Sequence, residues 1–220
     1  ITAIISMPLA FGCFVVTLPA VNFDFTVLDN PASCIAVGAR VAGPLYWSMI
    51  LDMFGYYLLI APAALFLWYW LKSKNHALAS LYTLCGLAYI LIGAIGAGIL
   101  AAVWPPLIRA YEQAAGAQRE TLVTIFQTVT NLVYGGMWNI LEVILAGVWW
   151  LGIGLLLRGE QRTLGMATIV LGLSCLLDGV GNILGMTSLA SIGLYIYLLL
   201  APIWALWLGI VLARGAGEVA

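Results

Sequence analysis

The chain has 220 residues, of which 64% are hydrophobic and 8% are charged, and its formal net charge is -1. A soluble domain carries about 25% charged residues, so this composition cannot cover a water-facing surface. The near-neutral charge provides no basic face, and we expect no nucleic-acid partner. The composition predicts an integral membrane protein that forms one domain in contact with the lipid bilayer. The chain begins at Ile1 without Met, so we expect its start to have been trimmed.

Six continuous apolar stretches follow one another, each near the ~20 residues that cross ~30 Å of hydrocarbon as a helix. Their continuity favours helices, because the strands of a membrane barrel alternate polar and apolar residues over about ten positions. The predicted spans are 1–21, 45–71, 77–104, 128–157, 164–186 and 191–213. The predicted fold is therefore an all-α integral membrane protein, a six-transmembrane-helix bundle.

The basic residues predict the orientation of this bundle. Five of the eight lie in the short second and fourth connections or follow the last span, namely Lys72, Lys74, Arg158, Arg162 and Arg214. Short cytoplasmic loops are rich in Lys and Arg, so the asymmetry predicts that both termini are cytoplasmic. Trp47 and Trp104 are expected to mark the opposite, outer interface.

The two longer connections, about 22–44 and about 105–127, are predicted to lie outside. The first contains the turn-forming motif Asp-Asn-Pro at 29–31. The second opens with two consecutive prolines, which are expected to end the third helix. Apolar residues then recur at helical spacing over 122–126, and two interpretations stay open. The segment is either an amphipathic helix on the outer surface or a solvated extension of the fourth helix.

Three carboxylates, Asp52, Glu142 and Asp178, lie inside apolar spans that contain no Lys or Arg. A carboxylate at membrane depth costs several kcal/mol unless it is protonated, hydrogen-bonded or holding a cation. Counting ~1.5 Å per residue from the nearest cytoplasmic basic residues places Asp52 ~30 Å up and the other two ~24 Å up. The three acids are therefore predicted to share one level, and they are candidate functional residues.

Each acid has a polar residue about one turn away on the same helical face, and these are Ser48, Asn139 and Asn182. On the fourth helix, the stripe of polar and small residues extends from Asn131 to Ala146. Lipid offers such stripes no partner, so they are expected to face neighbouring helices. The sequence thus predicts that the second, fourth and fifth helices pack together around a polar chamber open to the outer face.

These residues allow a functional and a structural interpretation, and both stay open. In the first, the chamber binds or transports a cation, a proton or a small polar solute. Its candidate binding residues are Asp52, Glu142, Asp178, Asn139, Asn182 and Ser48. In the second, the acids only join helices, through contacts worth ~1 kcal/mol each. The alternative function is a non-catalytic accessory subunit that docks against a membrane-protein partner, or a homo-oligomer.

Catalytic and cofactor sites find little support. His76 is the only histidine and lies beside two lysines, so a solvated interfacial side chain is favoured over a metal ligand. One histidine supports neither a zinc hydrolase, a bis-His haem nor a Ser-His pair, and no Gly-rich phosphate loop is present. We therefore expect no catalytic residue, no metal site and no cofactor. Gly93, Gly96 and the tryptophans, among them Trp149 and Trp150, are expected to serve packing in preference to binding a pigment or lipid.

Segments 48–55 and 174–181 share Ser, Leu, Asp and Gly at identical offsets. They belong to the second helix of each three-helix half, as in transporters built from inverted repeats. An inverted repeat would place the two acids at mirrored depths, whereas the predicted depths fall on the same side. Chance similarity is therefore favoured over a repeat.

Several short elements resemble a known family. They are Asp52-Met-Phe-Gly55 leading to Pro62, the helix exit Gly152-Ile-Gly154-Leu-Leu-Leu-Arg158, Leu164-Gly165 and Leu177-Asp178. Together they resemble a bacterial family of six-helix integral membrane proteins known as a domain of unknown function, over most of the chain. The resemblance implies the six-helix fold and a bacterial plasma membrane, but no activity.

Overall fold

The computed structural model describes residues 1–24, 26–27 and 30–216, and these residues form helices without any strand. Six helices are long and apolar enough to cross a membrane, which confirms the predicted all-α six-helix fold. They are α1 (Thr2–Ala20), α2 (Ala39–Leu71), α3 (His76–Gln113), α4 (Ala117–Leu157), α5 (Arg162–Ile183) and α6 (Thr187–Ala216).

The six helices form a closed ring in chain order. Each packs against the next one, and α6 returns to pack against α1. Of the three helices predicted to pack together, α4 and α5 do so, whereas α2 packs mainly against α1 and α3. The expectation of a direct three-helix contact was therefore wrong for α2, because α3 lies between α2 and α4. The side chains of α2 still reach α4 inside the ring.

Glycines bring α4 and α5 into backbone contact. A Cβ added at Gly165 would lie 2.7 Å from the backbone N of Arg158, and one added at Gly154 would lie 2.9 Å from the carbonyl O of Gly165. No side chain fits at these positions. Lipid tails are as apolar as the helices themselves, so small residues that allow close packing are a main source of helix association.

Beyond the predicted outer ends, α3 and α4 continue as a helical hairpin. The two prolines, Pro105 and Pro106, lie inside α3, which runs on to Gln113. The expectation that they end the third helix was wrong. The apolar segment 122–126 belongs to α4, which begins at Ala117. The extension of the fourth helix is therefore confirmed, and the separate amphipathic helix on the outer surface is not.

Side-chain packing explains how the helix passes through both prolines. Proline removes a backbone hydrogen bond and disfavours a helix interior. Here Trp104 is 3% exposed and stacks on Phe126 of α4 at 5.7 Å, and its Nε1 donates to Oγ1 of Thr130 at 2.9 Å. Trp104 is therefore a buried core residue and not the interfacial anchor that was predicted. Trp47 does remain exposed.

A short helix, Pro31–Ala36, packs against the outer hairpin. Asn30 caps it by accepting hydrogen bonds from the backbone N of Ala32 at 3.0 Å and of Ser33 at 3.4 Å, and Pro31 occupies the first helical position that proline favours. The turn-forming motif was thus a helix start. Its Asp29 lies outside the described residues.

Cysteine labelling tests the orientation predicted from Lys and Arg. We expect a membrane-impermeant maleimide to label Gln118→Cys in intact cells and Ser73→Cys only after permeabilisation, because both positions are exposed and lie at opposite ends of the ring. The native chain should react little, since its described cysteines are buried or half-buried. Burial raises the pKa of the Cys34 thiol to about 12, so its thiolate is scarce at pH 8. The reverse labelling pattern would invert the orientation.

Candidate functional site

Two of the three acids lie where the helical backbone departs from α geometry. In α2, residues Met53–Tyr57 form a π-helical turn directly after Asp52. In α4, the eleven residues Leu132–Glu142 are π-helical, and Glu142 is the last of them. Segments of this kind are rare and occur frequently at functional sites. The third acid, Asp178, lies in the regular α-helix of α5.

The π-helical segment of α4 changes which residues share a face with Glu142. A π turn closes over one more residue than an α turn, so over eleven residues the two geometries differ by roughly half a turn. Asn131 and Gly135 are accordingly exposed, Asn139 is half-buried and Glu142 is buried. The stripe predicted from α-helical spacing is therefore wrong between Asn131 and Glu142.

The two similar segments of the sequence, 48–55 and 174–181, differ in backbone conformation. Asp52 is followed by a π turn, whereas the chain continues as an α-helix after Asp178. The similarity of the two segments thus does not extend to their backbone conformation. This difference favours chance similarity over a repeat.

The three carboxylates nevertheless come together inside the ring. Glu142 lies close enough to both Asp52 and Asp178 for like charges on them to repel. The three acids are therefore near one another, as a shared level requires. Glu142 is 2% exposed and Asp178 is 1% exposed, while Asp52 is half-buried. In this conformation the site is a packed cluster, and the chamber open to the outer face was wrong.

Each acid differs in its hydrogen-bond partners. The hydroxyl of Tyr57 donates to Oε2 of Glu142 at 3.2 Å. Nδ2 of Asn182 donates to Oδ1 of Asp178 at 2.7 Å, as the spacing of these two residues suggests. The Oδ2 atoms of Asp52 and Asp178 are buried without a hydrogen-bond partner in the described chain. Two acids thus each keep one oxygen that can bind something else.

Of the other predicted site residues, Ser48 is buried on α2 and Asn139 is half-buried on α4. Among the described residues, neither side chain forms a hydrogen bond with an acid, whereas Tyr57 and Asn182 do. Sequence reasoning missed Tyr57 in their place. Its position five residues after Asp52 is out of phase in an α-helix, but a π turn, which spans five residues, brings the two closer in phase.

Tyrosines from three helices form a second group beside the acids. The hydroxyl of Tyr89 donates to the carbonyl O of Tyr56 at 2.8 Å, and it lies 3.3 Å from the hydroxyl of Tyr197. The hydroxyl of Tyr56 donates to the carbonyl O of Leu198 at 2.8 Å. Because Tyr56 belongs to the π turn, these bonds connect that turn to α3 and α6.

Aromatic rings fill the neighbouring part of the interior. Tyr89 stacks on Trp149 with ring centroids 5.8 Å apart, and Trp150 lies 5.1 Å from both. Trp204 meets both indoles edge-on, and all four side chains are buried. The packing role predicted for these tryptophans is therefore confirmed.

No group of three or more His, Cys, Asp or Glu side chains that could hold a metal ion occurs among the residues described. The arrangement can instead do proton chemistry. It brings together carboxyl groups, unpartnered carboxyl oxygens and phenolic hydroxyls, each of which can accept or donate a proton. This chemistry needs no residue beyond those already in place.

Comparisons with protein-family models, curated proteins and solved structures find no match. The resemblance to the bacterial six-helix family stays a prediction. The function has therefore to be argued from the geometry of the cluster.

Gly93 of α3 provides a test of how Tyr57 is held. A Cβ at Gly93 would overlap the Tyr57 ring, so Gly93→Ala should push Tyr57 away from Glu142. Overpacking of this kind costs ~1–3 kcal/mol, and we expect a lower melting temperature in detergent. Gly98→Ala is the matched control, because nothing lies within 4 Å of a Cβ there. Equal melting temperatures for the two variants would contradict this role of Gly93.

Proposed function

We propose that the chain binds and exchanges protons at Asp52, Glu142 and Asp178, and that it serves transport across the bacterial plasma membrane. One observation carries the proposal: three carboxyl groups lie close enough to interact inside an apolar bundle whose spans contain no basic residue near them. Carboxyl groups at membrane depth are typical of proton and ion pathways. The proton is the partner that such a cluster accepts without further ligands.

The surroundings favour a proton over the other ligands that the sequence left open. A metal cation needs several oxygen ligands arranged around one point, and the described residues offer no such group. A polar solute needs space, whereas Glu142 and Asp178 are buried and aromatic rings pack beside them. A proton needs neither a ligand shell nor a cavity.

Tyr57 supports transfer between the acids. It is the last residue of the π turn that directly follows Asp52, and its hydroxyl donates to Glu142 at 3.2 Å. A phenolic hydroxyl can donate one hydrogen bond while it accepts another. Protons can thus pass between α2 and α4 by exchange of hydrogen bonds, with small movement of the side chains.

The experiment is proton flux in proteoliposomes that contain a pH-sensitive dye. Glu142→Gln and Asp178→Asn keep the shape of each side chain and remove its exchangeable carboxyl proton. We expect each to lower flux by ~10-fold or more, because proton transfer depends on a positioned acid or base. Glu120→Gln, an exposed change on the same helix as Glu142, should leave flux unchanged.

Folding is checked by the melting temperature of each variant in detergent. If Glu142→Gln and Asp178→Asn fold and both keep the flux of the native protein, the carboxyl groups do not carry protons. The interpretation as a non-catalytic accessory subunit would then be favoured.

A further inference from the structure

The cytoplasmic half of the bundle contains three buried polar groups that have no hydrogen-bond partner in the described chain. They are Nε1 of Trp149, Nε1 of Trp150 and Oγ1 of Thr83. Both tryptophans are fully buried and Thr83 is 5% exposed. Buried polar groups in folded proteins nearly always have a partner, so three in one region require an explanation.

The other indoles of the bundle show that this chain does provide partners. Nε1 of Trp204 donates to Oγ1 of Thr168 at 2.7 Å, and Nε1 of Trp68 donates to Oγ of Ser80 at 3.1 Å. In both cases a hydroxyl from a different part of the chain accepts the bond. Trp149 and Trp150 therefore differ from Trp68 and Trp204, although both are fully buried.

The three groups lie at the contact between α3 and α4. The Trp149 indole packs on Gly86, where an added Cβ would lie 2.6 Å from Cε2, the ring atom bonded to Nε1. Thr83 lies one turn before Gly86 on α3, and the ring centroids of Trp149 and Trp150 are 5.1 Å apart. The two indoles of α4 are thus in ring contact, and Thr83 of α3 lies one turn from the glycine on which Trp149 packs.

The chemistry of these groups selects the ligand. An indole N–H only donates, so its partner has to accept a hydrogen bond, and a threonine hydroxyl can do both. Trp149 and Trp150 belong to the buried hydrophobic core, where a charged ligand would be costly. A buried water molecule typically makes two to four hydrogen bonds to groups that otherwise lack partners.

We infer that Thr83, Trp149 and Trp150 form a buried water-binding site between α3 and α4, and that this water extends the carboxyl cluster toward the cytoplasmic end of the bundle. This inference rests on the proposed function for its role, but not for the existence of the site. Thr83 lies seven residues from the start of α3 at His76, or about 10 Å along the helix.

Ring contacts connect the water site to the acids. Tyr89 stacks on Trp149 at 5.8 Å, and its ring lies 5.5 Å from that of Tyr57. Tyr57 in turn donates to Glu142. A continuous series of ring contacts therefore runs from Tyr57, the hydrogen-bond partner of Glu142, to Trp149.

Solid-state NMR of the full chain in lipid vesicles tests the site. With ¹⁵N-labelled tryptophan, magnetisation transfer from water identifies the indole protons in contact with it. We expect rapid transfer to Trp149 and Trp150 and at least fivefold slower transfer to Trp204, whose indole is bonded to Thr168. Trp149→Phe and Trp150→Phe assign the two resonances. Should either variant fail to fold, contacts with the Tyr89 ring, which lies against both indoles, distinguish this pair from the other indoles, and the variant that folds separates the two.

Two threonine variants sharpen the result. Thr83→Val should at least halve transfer to Trp149, because it removes a hydroxyl that holds the water. Thr168→Val, the matched control, should alter the Trp204 resonance and leave Trp149 and Trp150 unchanged. If transfer from water to the indoles of Trp149 and Trp150 is as slow as transfer to that of Trp204, the inference is wrong.

The role of the water is tested separately from its presence. Thr83→Val should lower proton flux several-fold in the same proteoliposomes used for the acids. If flux depends on Glu142 and Asp178 but both indoles are dry, only the water site is wrong. If both indoles contact water but proton flux does not depend on Glu142 and Asp178, the proposed function is wrong and the water site is still supported. If both indoles contact water but Thr83→Val leaves proton flux unchanged, the water does not extend the carboxyl cluster toward the cytoplasm.

Discussion

The hydrogen bond from Tyr57 to Glu142 joins two helices that are separated by a third, and much of the interior depends on it. The bond requires the π turn that directs Tyr57 inward, and it requires Gly93, since any side chain there would occupy the space of the ring. The surrounding hydrocarbon offers a carboxyl group no alternative partner. One contact therefore constrains α2, α3 and α4 together, and it holds Glu142 near the other two acids.

Charge pairing contributes little to this bundle. The salt bridge in the described structure, Lys74 to Glu160 at 3.0 Å, joins the short connections that follow α2 and α4 and is partly exposed. Pairs of this kind are worth ~0–1 kcal/mol. Cohesion comes instead from glycines that allow helices to touch and from aromatic rings that fill the middle. An interior of this kind leaves carboxyl groups with hydroxyls, amides and one another as partners.

Hydropathy predicted all six helices, but it predicted the helix ends accurately on only one side of the bundle. At the end of the ring predicted to be cytoplasmic, α2 and α4 end at Leu71 and Leu157, as predicted, because basic residues follow directly. On the outer side, α3 and α4 continue into polar sequence, where apolar length carries no signal. The proline rule then failed at Pro105 and Pro106, next to which Trp104 packs against Phe126 and Thr130 of α4.

The partners of the acids could be predicted only where the backbone keeps the regular spacing of an α-helix. Counting residues placed the acids at one level, and Asn182 pairs with Asp178 in a regular helix as its spacing suggests. Near Asp52 and Glu142 the same rule selected Ser48 and Asn139 and passed over Tyr57. A single sequence carries no clear mark of an eleven-residue π-helical segment, although Gly135 and Gly136 inside it weaken the preference for an α-helix.

This difference bears on whether the acids are functional or only join helices. Asp178 shows that a regular α-helix is sufficient to place a buried acid beside a partner. Asp52 and Glu142 instead lie at the ends of π-helical segments, which are less favourable than the α-helix and which packing alone does not require. Local rules in proteins are broken most often where function demands it. An unfavourable backbone at two acids that meet in the same interior is the reason to favour a functional cluster over a structural one.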